Sequence, residues 1–292
     1  MTGFIMDEQS TYAVCEQITR REARNFSYGI RLLPRPKRQA LSAIYATARR
    51  IDDIGDGDLP AQQKLTSLAG IRDSLHHLPD REFAVADPVL SALADAASRF
   101  PIPLAAFDEI VAGCRADVTV HRYASFDDLV GYCRSVAGSV GRLSVGVYDP
   151  PALERAWSLA DTLGIALQLT NVLRDLLEDR LVDRIYLPTE DLRRFGCTLD
   201  ANQGRLSDPA DRFAALIRFE AERADNWYQR GLRLLPLLDR RSAACTAAMA
   251  GIYRRLLRRI AADPEAVRSR RLSLPSHAKA AVAVQALARG TA

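Results

Sequence analysis

The chain has 292 residues, 48% of them hydrophobic and 26% charged, with a formal net charge of +4. This is an ordinary globular balance with material for a core, too weakly basic to imply nucleic-acid binding by itself. Five scattered cysteines without a CxxC pair speak against a disulfide framework or a zinc site, and no run of 18 apolar residues offers a membrane span.

In chain order, the polar and acidic stretch Met1 to Ser10 lacks the apolar core of a signal peptide. A first helix is expected over 7–24, leading into Asn25-Phe26-Ser27-Tyr28-Gly29. Pro34 and Pro36 then open a helix over 37–54, stopped by Gly55, Gly57 and Pro60. At its C-terminal end stand Asp52 and Asp56, one turn apart on one face. Like charges at that spacing repel, and the helix macrodipole disfavours them there, so a cation is expected between them. Further helices are expected at 61–77, 87–99, 104–116, 126–148, 152–182, 209–234, 239–262 and 276–289, with loops at 183–204 and 263–276. The adjacent His76-His77 reads as a helix end. Val118-Thr119-Val120 is the best strand signal and too short to build a sheet. The expectation is one all-α domain over 1–292.

The segment 163–173 is apolar on nearly every side, which places its helix in the core. Yet Gln168, Asn171, Asp175 and Asp179 follow one another at steps of three and four. Buried polar groups are costly without partners, so this stripe predicts a lined cavity. Two facing helices, each with an Asp pair, make a carboxylate mouth suited to Mg²⁺, which binds through a few carboxylates, waters and substrate phosphates. A diphosphate substrate follows. A solvated acidic helix turn is the competing reading of either pair alone, and the apolar setting of the second decides against it. Val136-Ala137-Gly138-Ser139-Val140-Gly141 places glycines inside a helix, which points either to close packing or to room for a ligand. Arginines cluster at 20–21, 49–50, 254–259 and 268–271; the forked guanidinium suits phosphate, against the alternative of a solvated helix face.

In their order and combination, these segments resemble the squalene/phytoene synthase family. The resemblance runs from Phe26-Ser27-Tyr28 and Leu32-Leu33-Pro34 through Arg49-Arg50-Ile51-Asp52-Asp53-Ile54-Gly55-Asp56. It continues through Tyr132 to Gly141, Gln168 to Asp175, and Arg184-Ile185-Tyr186-Leu187-Pro188. Arg24 to Pro34 and Arg271-Leu272-Ser273-Leu274-Pro275 are most similar to the presqualene diphosphate synthases of bacterial hopanoid pathways. Arg180-Leu181-Val182-Asp183 departs from the small residues that relatives often carry there. The resemblance implies a single-domain isoprenoid synthase helical fold around a central cavity. It also implies a prenyltransferase that condenses two farnesyl diphosphates head to head to presqualene diphosphate. Mg²⁺ would be held by Asp52, Asp56, Asn171, Asp175 and Asp179. Arg24, Phe26, Gln168, Arg174, Arg184, Tyr186, Tyr253 and Arg271 would bind substrate, with Tyr45, Arg49 and Tyr132 at the chemistry. In the segment 268–271, Arg271 is expected to cap the diphosphates and Arg268 to be silent.

The alternatives are a phytoene synthase using two geranylgeranyl diphosphates, which cavity depth would separate, and a non-catalytic helical partner protein, against which the intact Asp pairs argue. A reductive squalene synthase is the weaker alternative, since no GxGxxG nicotinamide fingerprint is present. The expected setting is cytoplasmic, with peripheral contact to the inner membrane face left open, no nucleic-acid partner, and prenyl diphosphates as ligands.

Overall fold

Local sequence sets the ends of the helices that carry the acidic motifs. In the computed structural model, which describes residues 8–23, 25–78 and 87–289, α1 (Glu8–Glu22) and the short α2 (Phe26–Ile30) precede α3 (Arg35–Asp56). Pro36 occupies the first turn of α3, where its missing N–H goes unneeded, and the chain leaves the helix at Gly57. Lys64 Nζ donates to the Gly55 carbonyl at 2.9 Å, satisfying one of the acceptors that a helix end leaves open.

Next come α4 (Ala61–His76), α5 (Pro88–Arg99), α6 (Ala106–Thr119) and α7 (Phe126–Cys133). His76 ends α4 as expected, its ring against Asp108 at 2.9 Å. The Asp87 side chain caps α5, and Ser125 with Asp128 forms a reciprocal capping box at the start of α7. The expected helix over 126–148 is not uniform: a π-helical turn, Arg134–Gly138, separates α7 from α8 (Ser139–Tyr148). Such turns are rare and frequent at functional sites.

The core helix is α9 (Leu153–Arg174), packed against α8, the π turn, α12 (Ala210–Gly231) and α13 (Arg240–Ala262). Its Leu163, Ile165, Ala166, Leu169, Val172 and Leu173 are all buried, as an all-round apolar helix requires. The glycines around it serve close packing. A Cβ on Gly164 would stand 2.4 Å from the Ala137 carbonyl oxygen, and one on Gly141 would stand 2.7 Å from that of Ala160.

Three further expectations are corrected. The helix over 152–182 breaks at Asp175, which ends α9 with φ −104° and ψ 13° and leads into α10 (Leu176–Leu181). The loop over 183–204 contains α11 (Thr189–Phe195) and the first strand of a hairpin, β1 (Ala201–Asn202) with β2 (Arg205–Leu206). Gln203 and Gly204 both have positive φ, the signature of a primed two-residue turn, and Gln-Gly is a weak sequence signal for one. The segment 118–120 builds no sheet, as expected from its shortness, and Val118 and Thr119 complete the last turn of α6. The loop over 263–276 includes a 3₁₀ turn, Pro264–Arg268, before α14 (Ser276–Arg289). Among the described residues no helix is long and apolar enough to cross a membrane.

Candidate active site

A cavity of about 390 Å³ lies between α3, α6, α7, α8, α9 and α13. Its inner wall is aliphatic and aromatic, with Ile44, Val140, Leu163, Leu167 and Tyr148 among its lining. Asp52, Arg49, Asn171 and Arg174 line its polar end. One compartment thus joins a charged mouth to a dry interior. Of the residues singled out in the sequence, Phe26, Tyr45, Arg49, Asp52, Tyr132, Gln168, Asn171 and Arg174 face it directly.

The remaining ones are tied to this mouth by ion pairs and ring contacts. Asp56 accepts from Arg184 Nη1 at 3.1 Å, which joins the end of α3 to the segment after α10. Asp175 is claimed from two sides: Arg174 Nε donates to it at 2.7 Å, and Arg271 Nε also at 2.7 Å. Asp179 follows within the first turn of α10, its N–H bonded to the Asp175 carbonyl at 2.9 Å, so the helical step between the two acids survives the break. Tyr253 packs its ring 5.6 Å from that of Phe26, which in turn lies 6.4 Å from Tyr45. Tyr186 stacks on Tyr132 at 5.1 Å. Arg24 lies outside the described residues. The bulk of Leu181 and Val182 is accommodated by pointing outward: both are exposed, and Asp183 takes a left-handed φ of 60° to close the turn.

Sequence reasoning missed Asp117. In the last turn of α6, it lines the cavity and accepts hydrogen bonds from Tyr186 Oη at 2.7 Å and Tyr132 Oη at 3.0 Å. Like Asp52 and Asp56 it opposes the macrodipole at a helix C-terminus, but it has no acidic partner one turn away to mark it.

The mouth is over-supplied with negative charge. Asp52, half exposed at the opening and walled by protein behind, is pushed up to about 6, by burial first and by Asp56 second. Partial burial, then Asp175, pushes Asp179 up to about 8. The Asn171 amide donates to Gln168 Oε1 at 3.1 Å, while its own buried Oδ1 has no partner among the described residues. Among the described residues no three His, Cys, Asp or Glu side chains form a ready-made metal cage. Oxygen donors with surplus charge and one orphaned carbonyl fit a hard divalent cation that completes its shell with other ligands.

A stability test follows from these carboxyls. Both pKa values lie above the ordinary carboxylate range near 4. The folded protein therefore retains protons that the unfolded chain has lost, and this contribution fades as pH rises from about 4 through 8. The melting temperature of the metal-free protein should fall across that window, and Asp179→Asn should flatten the slope. An unchanged slope in the variant would refute the assignment.

Arg268 and Arg271 have different surroundings. Arg271 reaches the mouth, whereas Arg268 is buried and donates to the Leu206 and Asp208 carbonyls, the former at 2.8 Å. It braces β2 and the start of α12 through those backbone acceptors. Arg268→Ala should therefore cost stability by about 3 kcal/mol, the scale of leaving buried acceptors unpaired. Arg271→Ala should leave the melting temperature unchanged and raise KM about tenfold, the scale of a hydrogen bond to a charged group. Thermal melts and steady-state kinetics on the two proteins separate these outcomes.

The Squalene/phytoene synthase family model matches residues 19–278. The chain belongs to this family. It is 52% identical over 281 residues to a protein of Mycobacterium tuberculosis named phytoene synthase, covering 96% of this chain and 91% of that one. A 15-cis-phytoene synthase of Synechococcus elongatus is 34% identical over 294 residues, covering 96% and 93%. Among solved structures, a dehydrosqualene synthase in complex with a ligand matches with a TM-score of 0.86 at 28% identity, covering 97% of each chain. A squalene synthase of Alicyclobacillus acidocaldarius matches with a TM-score of 0.78 at 29% identity, covering 87% of this chain and 94% of that one. The fold is thus the isoprenoid synthase fold, and the protein is a prenyltransferase of head-to-head condensation. At the finer level, the 52% relatives carry the name phytoene synthase, where the motifs alone favoured presqualene diphosphate synthases.

Proposed function

We propose that the protein condenses two geranylgeranyl diphosphates to phytoene, with presqualene diphosphate formation from two farnesyl diphosphates as the second reading. The observation that carries the choice is the 52% identity, over nearly the full chain, to proteins named phytoene synthase. The second reading rests on the similarity of Arg24 to Pro34 and Arg271 to Pro275 to presqualene diphosphate synthases.

In this reading Asp52, Asp56, Asn171, Asp175 and Asp179 hold Mg²⁺ at the mouth. When bound, the metal neutralises diphosphate charge and so eases departure of the leaving group. Arg49, Arg174, Arg184 and Arg271 supply the directed donors on the same oxygens. Arg184 and Arg271 now rest on Asp56 and Asp175, so substrate exchanges those carboxylates for phosphate oxygens. Ionisation leaves an allylic cation in the aliphatic part of the cavity, where Phe26, Tyr45 and Tyr132 present ring faces that stabilise positive charge. The same walls exclude water, with Gln168 on the cavity lining and Tyr253 packed against Phe26 behind it. The C2–C3 double bond of the second chain attacks C1 of the cation, and loss of a proton closes a cyclopropane. A second ionisation, rearrangement and proton loss gives the C40 hydrocarbon.

Incubation with each prenyl diphosphate and Mg²⁺, without NADPH, followed by mass analysis, tests this. Phytoene from the C20 substrate is the expected result. A C30 product from farnesyl diphosphate, with nothing from the C20 substrate, selects the second reading.

A further inference from the structure

Tyr132 enters the cavity from the end of α7, one residue before its close, with a π-helical turn immediately after. Its hydroxyl is not free. It donates to Asp117 Oδ2 at 3.0 Å, and the Tyr186 hydroxyl donates to Asp117 Oδ1 at 2.7 Å. The two phenols stand 3.4 Å apart, with rings stacked at 5.1 Å. A single carboxylate therefore binds two phenolic protons, one on each oxygen. An ionised carboxylate accepts on both oxygens, and the geometry offers Asp117 one phenol on each. Arg184 is the cation of the neighbourhood, and its Nη1 is engaged by Asp56. Asp117 and Tyr132 both line the cavity, beside Ile110, Cys114 and Val136. Asp117 stands close enough to Asp52, Asp56 and Arg184 to feel their charges, so it lies where the acidic mouth meets the cavity wall.

We infer that Asp117 is a positioning residue for proton removal, holding Tyr132 so that its oxygen accepts the substrate proton as its own proton passes to Asp117. The inference rests on the head-to-head condensation proposed above. The C–H bond of the acceptor chain breaks, and its electron pair closes the cyclopropane. The proton goes to Tyr132 Oη, the phenolic proton goes to Asp117 Oδ2, and Asp117 gives it up to the departing diphosphate or to solvent before the next turnover. A neutral phenol is a poor base, and transfer onward to a carboxylate is what makes it competent. Burial, with the charge of Asp56 adding to it, holds Asp117 above the ordinary carboxylate range against the opposing pull of Tyr186, Arg184 and Tyr132, which strengthens it as an acceptor. Tyr186, on the other oxygen, fixes the plane of the carboxylate.

The test compares diphosphate release with condensed product for wild type, Asp117→Asn, Asp117→Glu, Tyr132→Phe and Tyr123→Phe, on geranylgeranyl and on farnesyl diphosphate. Asp117→Asn and Tyr132→Phe should still release diphosphate but yield about 100-fold less condensed product per diphosphate, the low end of what a positioned base contributes. The prenyl alcohol formed by water capture should make up the difference. Asp117→Glu should recover part of the ratio, since it restores an acceptor. Among the described residues the buried Tyr123 hydroxyl has no partner, so Tyr123→Phe should match wild type while testing the ring cluster. Parallel loss of release and product in Asp117→Asn, or a ratio equal to wild type in both Asp117→Asn and Tyr132→Phe, would overturn the inference. If Asp117→Asn does not fold, Tyr132→Phe decides by the same ratio. Wild type that condenses neither substrate removes the functional reading itself, and the inference with it.

Discussion

Asp52→Asn should lower turnover by about a thousandfold or more while leaving the fold intact and the metal-free protein no less stable. The magnitude is that of losing electrostatic stabilisation at the site of charge development, worth about 10²–10³ for a single donor. A charged ligand at the diphosphate should sit at or beyond the top of that range. The stability half of the expectation comes from the pKa. Asp52 is held up to about 6 by burial and by Asp56, so its charged form is a liability in the free protein. Its ion pair with Arg49 at 3.1 Å offsets only part of that, being half exposed and therefore weak. Arg49 keeps a second carboxylate, Asp53, at 2.5 Å, so the variant leaves no stranded cation. Kinetics at saturating substrate and Mg²⁺, beside a thermal melt, checks both halves. Near-normal turnover, or a collapsed melt, would remove Asp52 from the metal-binding set.

Why the sequence read well at the mouth and poorly elsewhere is a matter of which signals are local. An Asp pair at i and i+4 announces itself within one helical turn, and an all-round apolar helix such as α9 declares its burial in composition alone. Gln168 and Asn171 were legible because a polar stripe on a buried helix has few alternative explanations. Asp117 was not, since a lone carboxylate gains its meaning from Tyr132 and Tyr186, which lie 15 and 69 positions away. The bracing role of Arg268 was equally hidden, although the resemblance already set Arg271 apart from it. Three positions apart in one basic segment, they differ only in what the fold brings to them: backbone carbonyls of the hairpin for one, Asp175 for the other. The break at Asp175 was missed because helical periodicity continues across it, and only the tertiary ion pairs there distinguish the residue. Chain length of the substrate was the least legible property, because cavity depth is set by contacts among α3, α8, α9 and α13 at once.

Chelation should abolish turnover without changing helical content or the melting temperature, and the reason lies in how the mouth is built. A structural metal site binds folding energy into its ligands, so stripping it unfolds the protein. Here the acids are held apart and neutralised by protein cations: Arg184 on Asp56, and Arg174 with Arg271 on Asp175. The packed core beneath them, from Ile44 to Leu163 and Leu173, needs nothing from the mouth to remain folded. Mg²⁺ alone should therefore raise the melting temperature little, because it meets carboxylates already engaged by arginines and no complete shell. Mg²⁺ together with a non-ionisable prenyl diphosphate analogue should raise it clearly. At about 100 times Kd the stabilisation is about 2.7 kcal/mol. Differential scanning calorimetry with chelator, with Mg²⁺, with analogue, and with both gives four curves to compare. If chelator alone melts the protein, or Mg²⁺ alone stabilises it as much as the pair does, the metal belongs to the fold and not to the substrate. If turnover continues in chelator, the acidic mouth works without a divalent cation and the roles given to Asp52, Asp56, Asn171, Asp175 and Asp179 are wrong.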